Sequence, residues 1–174
     1  MSTIINGTSS AITFPDSSVQ NTSAIVSGYV PYANLPAGSV LQVVSTTYTT
    51  AFSTTSTTAV ATGLNLSITP KFSTSKILII VTAACRATGS GGNAYFNPYL
   101  NRNTSTTIWD GYVQGGNFTS SDFRSASSIC YLDSPATTSS TNYALYLSML
   151  FGSSSATLNN AGGTSSITLM EVAG

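Results

Sequence analysis

The segment Ile77-Leu-Ile-Ile-Val-Thr-Ala-Ala-Cys85 constrains this chain more than any other stretch. It is a nearly unbroken apolar run rich in β-branched side chains, whose stiff χ1 angles suit a pleated strand better than a helix. It is far shorter than the ~20 residues that cross a bilayer as a helix. The run therefore reads as a central strand buried on both sides. Such a strand needs covering layers, and the neighbouring sequence supplies more strands rather than helices.

Further strands are predicted at Val40–Tyr48, Ala59–Thr62, Leu64–Ile68, Tyr95–Leu100, Thr106–Asp110, Ser125–Leu132, Tyr143–Phe151, Ala156–Leu158 and Ser165–Val172. A Thr/Ser stretch after Tyr48 is expected to pair with the strand before it. Leu64-Asn-Leu-Ser-Ile68 alternates apolar and polar residues with period two, the pattern of a half-exposed strand. Only at 143–151 does a helix compete, and its Tyr and Phe content favours a strand. Good helix formers are scarce: Glu171 is the sole Glu, and Lys71 and Lys76 are the only Lys. About a third of the residues are Ser or Thr, which give solubility without charge. Eight to ten short strands with Gly, Pro, Asn or Ser turns imply a sandwich or jelly roll. The predicted fold is all-β: a jelly-roll-like antiparallel β-sandwich knob over 39–174, preceded by an extended N-terminal arm over 1–38. Pro15, Pro31 and Pro36 break the arm, while Ile4-Ile5, Ile12, Phe14 and Ala24-Ile-Val26 make it too apolar for a plain linker. An arm of this kind is expected to lie on another subunit or a neighbouring protein.

The absent residues narrow the chemistry. There is no histidine, which removes the commonest general base, the His-dependent nucleophile systems and most zinc sites. The acids are Asp16, Asp110, Asp122, Asp133 and Glu171; Asp16 lies in the arm and Asp133 in a turn before Pro135, which leaves Asp110 and Asp122, close enough to share a loop region, as the only plausible glycosidase-type pair. Solvated loop positions or calcium ligands suit them better. No phosphate loop or dinucleotide fingerprint occurs. The expectation is a non-enzymatic chain with no cofactor. The five basic residues are scattered and the formal net charge is zero, so neither nucleic acid nor an anionic membrane surface is an expected partner. A chain without net charge tends to associate. Met1 to Gly7 lacks a basic region followed by an apolar stretch, so no secretory leader is expected. Five Asn-X-Ser/Thr sequons carry no weight in a chain this rich in Ser and Thr. Cys85 and Cys130 read as free thiols, with a disulfide left open for neighbouring strands.

One stretch gathers aromatic rings with amides and acids: Tyr95, Tyr99, Trp109, Tyr112 and Phe118, mixed with Asp110 and Asp122. Such faces meet sugar or protein surfaces, and loops at a sandwich end commonly carry binding residues. These seven residues are candidate receptor contacts. The competing reading, that the rings fill the core or a subunit interface, stays open at the level of sequence.

Ile12-Thr-Phe-Pro-Asp-Ser-Ser-Val-Gln-Asn-Thr-Ser23 resembles the I-x-F-x-D-G-S-x-Q-x-T-A element of bacteriophage tail-fibre and related virion proteins, particularly those of cyanophages. Ser17 stands in place of the usual Gly and Ser23 in place of the usual Ala. Residues 62–79, 131–135 and 163–172 resemble phage fibre-tip domains with a compact β-sandwich. The resemblance covers about half the chain and brings no catalytic residues. It implies a homotrimeric protein of the virion exterior, made in the host cytoplasm. A short tail fibre touching a host surface glycan or protein is the first expectation, with the arm engaging other virion proteins. A capsid decoration (cement) protein is the alternative. A glycan-active enzyme or a bacterial adhesin is the more distant one.

Overall fold

Alternation of apolar and hydroxyl side chains gives each strand one greasy and one wettable face, and two such sheets bury their apolar faces against each other. The computed structural model describes residues 4–5, 11–13, 19–21, 30–89, 93–111, 114–117, 122–149 and 155–174. Within the first 38 residues, β1 (Ile4–Ile5), β2 (Ala11–Thr13) and β3 (Val19–Asn21) form a small antiparallel sheet in the order β1-β2-β3. The described part of the arm thus contains short paired strands.

The knob is built from β4 (Val40–Tyr48), β5 (Phe52–Thr54), β6 (Val60–Ile68), β7 (Lys76–Thr88), β8 (Asn93–Arg102), β9 (Thr106–Asp110), β10 (Gln114–Asn117), β11 (Asp122–Asp133), β12 (Thr141–Met149), β13 (Ser155–Leu158) and β14 (Ser165–Val172). All pairings are antiparallel. Three of the rows are split in two. β4 and β5 lie end to end against β14 and β13, and β9 and β10 lie end to end along one edge of β8. Counted in chain order, the rows are β4/β5, β6, β7, β8, β9/β10, β11, β12 and β13/β14. One sheet then runs 1-8-3-6 and the other 2-7-4-5. That interleaving is the strand order of a jelly roll. Among the described residues the helical structure is limited to two short 3-10 turns, Tyr32–Asn34 and Asn160–Gly162.

The expected strands at 40–48, 106–110 and 165–172 have the expected bounds. Three details differ. β5 pairs with β13 and not with β4, because the chain keeps its direction between them and merely extends the row. β6 runs straight through Gly63, which takes up a bulge at φ +93°. The run at 77–85 is central in its sheet but buried on one face only: Ile77, Ile79, Val81, Ala83 and Cys85 point into the core, while Ile80 is 40% exposed. No second layer covers the outer face of that sheet among the described residues.

The core joins Ile77, Ile79, Val81, Ile129, Ile167 and Leu169 of the first sheet to Leu64, Ile68, Phe96, Leu100, Tyr143, Leu145, Leu147 and Met149 of the second. Each fully buried aliphatic side chain contributes about 1.5–3 kcal/mol. The knob is closed at its base by two hydrogen bonds, Gly38 N–H to the Ala173 carbonyl at 2.8 Å and Ala173 N–H to the Ser39 carbonyl at 2.9 Å. Residues 30–38, assigned to the arm by sequence, lie against this base. Tyr32 and Leu35 line a cavity of about 220 Å³ with Phe72 and Ala173, and the Lys71 ammonium sits 5.8 Å from the Tyr32 ring centroid.

Candidate functional site

The alternation along β8 and β12 sorts their side chains onto two faces. Phe96 and Leu100 of β8, with Tyr143, Leu145, Leu147 and Met149 of β12, enter the core. The residues between them therefore stand on the outer face of the 2-7-4-5 sheet: Tyr95, Asn97, Tyr99 and Asn101 from β8, and Asn142, Ala144, Tyr146 and Ser148 from β12. Tyr99 is directly opposite Tyr146, Asn97 opposite Ser148, and Asn101 opposite Ala144.

This outer face is unusually well covered. Ser148 is fully buried, and Asn97 and Asn101 are 5% and 6% exposed. The cover comes from the two tyrosines lying down on the sheet. The Tyr99 hydroxyl reaches Ser148 Oγ at 3.2 Å, so its ring leans across β12. The Tyr146 hydroxyl donates to the Thr104 carbonyl at 3.2 Å, so its ring leans the other way, across β8. Thr104 belongs to the β8–β9 turn, which folds back over the same face; its carbonyl also accepts from Asn101 Nδ2 at 3.4 Å. Asn103 and Thr104 both hold left-handed backbone there, at φ 49° and 63°. A β-branched residue in that region is strained. At the sheet edge Asp110, exposed and paired in register with Tyr99, accepts from Asn97 Nδ2 at 3.0 Å. The other amide atom, Asn97 Oδ1, is buried without a partner. Across β12, Asn142 Nδ2 donates to Asn65 Oδ1 at 3.2 Å and to Ser67 Oγ at 3.1 Å, extending the amide-rich surface onto β6. No protein-family model matches the chain, and no curated protein sequence matches it.

Of the seven residues predicted from sequence, this face brings together Tyr95, Tyr99 and Asp110. Trp109 belongs elsewhere: it is opposite Leu100, and its ring packs on the core beside Pro98 and over Gly111, where a Cβ would overlap it. Its indole fills a sheet edge. Asp122 stands on the outer face of the other sheet. Tyr112 and Phe118 lie outside the described residues. The sequence reading missed Tyr146, Asn97 and Asn101. A signal for Tyr146 was present, because the alternation Tyr143-Ala-Leu-Tyr-Leu-Ser148 places it outward once Leu145 is inward.

The acids occupy separate places. Asp122 takes both Arg86 Nε at 2.8 Å and Arg86 Nη2 at 3.1 Å, with Arg124 at 3.4 Å. The hydrogen-bonded Arg86 guanidinium, helped by Arg124, holds this carboxyl below the usual carboxylate range. Asp133 is buried between the sheets, accepting from Arg102 at 2.9 Å and from the Tyr143 hydroxyl at 2.7 Å. Glu171 is fully buried and accepts from Gln42 Nε2 and the Lys71 backbone N–H, both at 2.6 Å. Asp110 and Asp122, the sequence's one candidate pair, stand on the outer faces of opposite sheets. Cys85 and Cys130 lie on neighbouring strands, but Cys85 points inward and Cys130 outward, so they remain free.

The outer face of the 1-8-3-6 sheet has a different character. Val43, Met170, Leu78 and Leu132 stand opposite one another in a single rung across four rows. Val43 is 53% and Leu132 48% exposed, and Ile80 adjoins them. Toward the far end of the sheet lies a shallow depression of about 300 Å³, lined by Ala84, Arg86, Arg124, Ala126 and Asn160.

Proposed function

We propose that this chain is a non-enzymatic, homotrimeric protein of a phage particle's exterior: a short tail fibre whose jelly-roll knob contacts the host surface. The observation that carries this reading is the 1-8-3-6/2-7-4-5 strand order, an architecture found in capsid and lectin domains alike. It is joined to an N-terminal segment, Ile12–Ser23, that resembles the tail-fibre element. Fold alone does not assign a role, so the faces matter. The first sheet offers an apolar rung four rows wide, suited to burial against another copy of the chain. The second offers an uncharged tyrosine–amide surface with one acid, suited to contact with a polar, hydroxyl-rich partner. The described carboxylates Asp110, Asp122, Asp133 and Glu171 are each engaged in structural bonds, which supports a scaffold and not a catalyst.

The arm over 1–38 is proposed to engage other virion proteins. Capsid decoration is the second reading, since the same knob and arm would suit a head surface equally. Antibody against the knob, used to label intact particles in electron micrographs, tests both. Label on the tail supports the fibre, and label over the head supports decoration. Purified particles that lack the chain altogether would end both readings.

A further inference from the structure

We propose that the outer face of the 2-7-4-5 sheet is a binding platform for a neutral glycan, with sugar rings stacking on Tyr99 and Tyr146. This rests on the reading of the knob as a host-contacting module and names what it contacts.

Three observations carry it. First, each phenol is pinned by its far end, Tyr99 to Ser148 and Tyr146 to the Thr104 carbonyl. Both rings are half-buried, with one side over polar groups of the sheet. A ring held flat in this way presents its other face outward, where the C–H face of a pyranose packs well and a charged group does not. Cross-strand neighbours on one face lie about 5 Å apart, close to the width of one sugar ring. Tyr99 and Tyr146 are such neighbours.

Second, the surround is made of groups that bond hydroxyls. Asn65, Ser67 and Asn142 form one margin and Asp110 the other. Asn97 Nδ2 holds Asp110 in place from beneath this surface at 3.0 Å. Third, charge argues against an acidic sugar. The one basic side chain of β8 and β12, Arg102, faces the other way and is engaged by Asp133, while Asp110 repels anions. The β8–β9 turn walls one end of the face, so the glycan lies along the strands away from Thr104.

The test uses the full-length protein on an array of short neutral oligosaccharides of glucose, galactose, mannose and rhamnose, with sialylated and uronic-acid glycans as the charged arm. Wild type is expected to bind at least one neutral class and none of the charged ones. Tyr146→Ala and Tyr99→Ala are each expected to weaken that binding about tenfold, with Tyr146→Phe retaining most of it and all variants melting within a few degrees of wild type. Asp110→Asn, which cannot unfold the knob by exposing a core, is expected to change the preferred sugar. Absence of neutral-glycan binding by wild type would overturn the proposal, as would unchanged binding in a folded Tyr99→Ala/Tyr146→Ala protein. Particle labelling decides the host-contact reading separately, so either idea can fail alone.

Discussion

The Tyr143 hydroxyl donates to Asp133 Oδ2 at 2.7 Å across the space between the two sheets, and Arg102 closes the same carboxylate from β8. This cluster is one of the polar ties within a largely apolar core. Removing Asp133 leaves a buried phenol and a largely covered guanidinium without their acceptor. Asp133→Ala is therefore expected to cost about 2–3 kcal/mol, read in urea unfolding. Tyr143→Phe leaves the Arg102–Asp133 pair intact and is expected to cost about 1 kcal/mol.

The same core makes the knob sensitive to alkali. Burial first, and then the Asp133 carboxylate, push the Tyr143 phenol well above its ordinary value of 10.0. Burial likewise pushes the Cys85 thiol from 9.0 up to about 12. In the unfolded chain both groups lose their protons at lower pH than in the folded one, so the folded state holds more protons and stability falls as pH rises. Thermal midpoints are expected to be flat through neutral pH, then to drop from about pH 9 upward. Cys85→Ala is expected to delay the onset of that drop.

Gly63 is required twice over. Its φ of +93° belongs to the glycine-favoured region, and a Cβ there would strike the Tyr48 phenol, whose hydroxyl bonds the Thr62 carbonyl at 3.3 Å. Gly63→Ala is expected to destabilise the knob by about 2–3 kcal/mol. Adding Tyr48→Phe should recover part of that, because the hydroxyl is the nearest obstacle.

Thr104 is the opposite case, a β-branched residue held at φ 63°. Thr104→Gly is expected to raise stability by about 0.5–1 kcal/mol, or about 2 °C in melting temperature. The Thr104 carbonyl that anchors Tyr146 is retained.

Local patterning made the strands legible in the sequence. β-branching marked Ile77–Val81, period-two alternation marked Leu64–Ile68 and Ser165–Val172, and Gly, Pro and Asn punctuated the ends. A jelly roll was expected, but the row order rests on pairings between residues far apart, such as Val40 with Val172, which no local signal specifies. The site was half legible. The aromatic cluster pointed to Tyr95, Tyr99 and Asp110, yet proximity in sequence does not say which face a ring takes. A register shift between β8 and β9 turns Trp109 toward the core. Tyr146 came from a strand far along the chain and met Tyr99 only through sheet pairing. Glu171 could have been foreseen as buried, because Ser165, Ile167 and Leu169 place it on the inward phase.

In the proposed trimer the rung of Val43, Met170, Leu78 and Leu132 is covered by another copy of the chain. Sedimentation equilibrium of the full chain measures this most directly. The account predicts three times the 17.9 kDa chain mass, with Leu132→Glu lowering it while leaving the fold unchanged by circular dichroism. A wild-type chain that stays at 17.9 kDa across the accessible concentration range would contradict it.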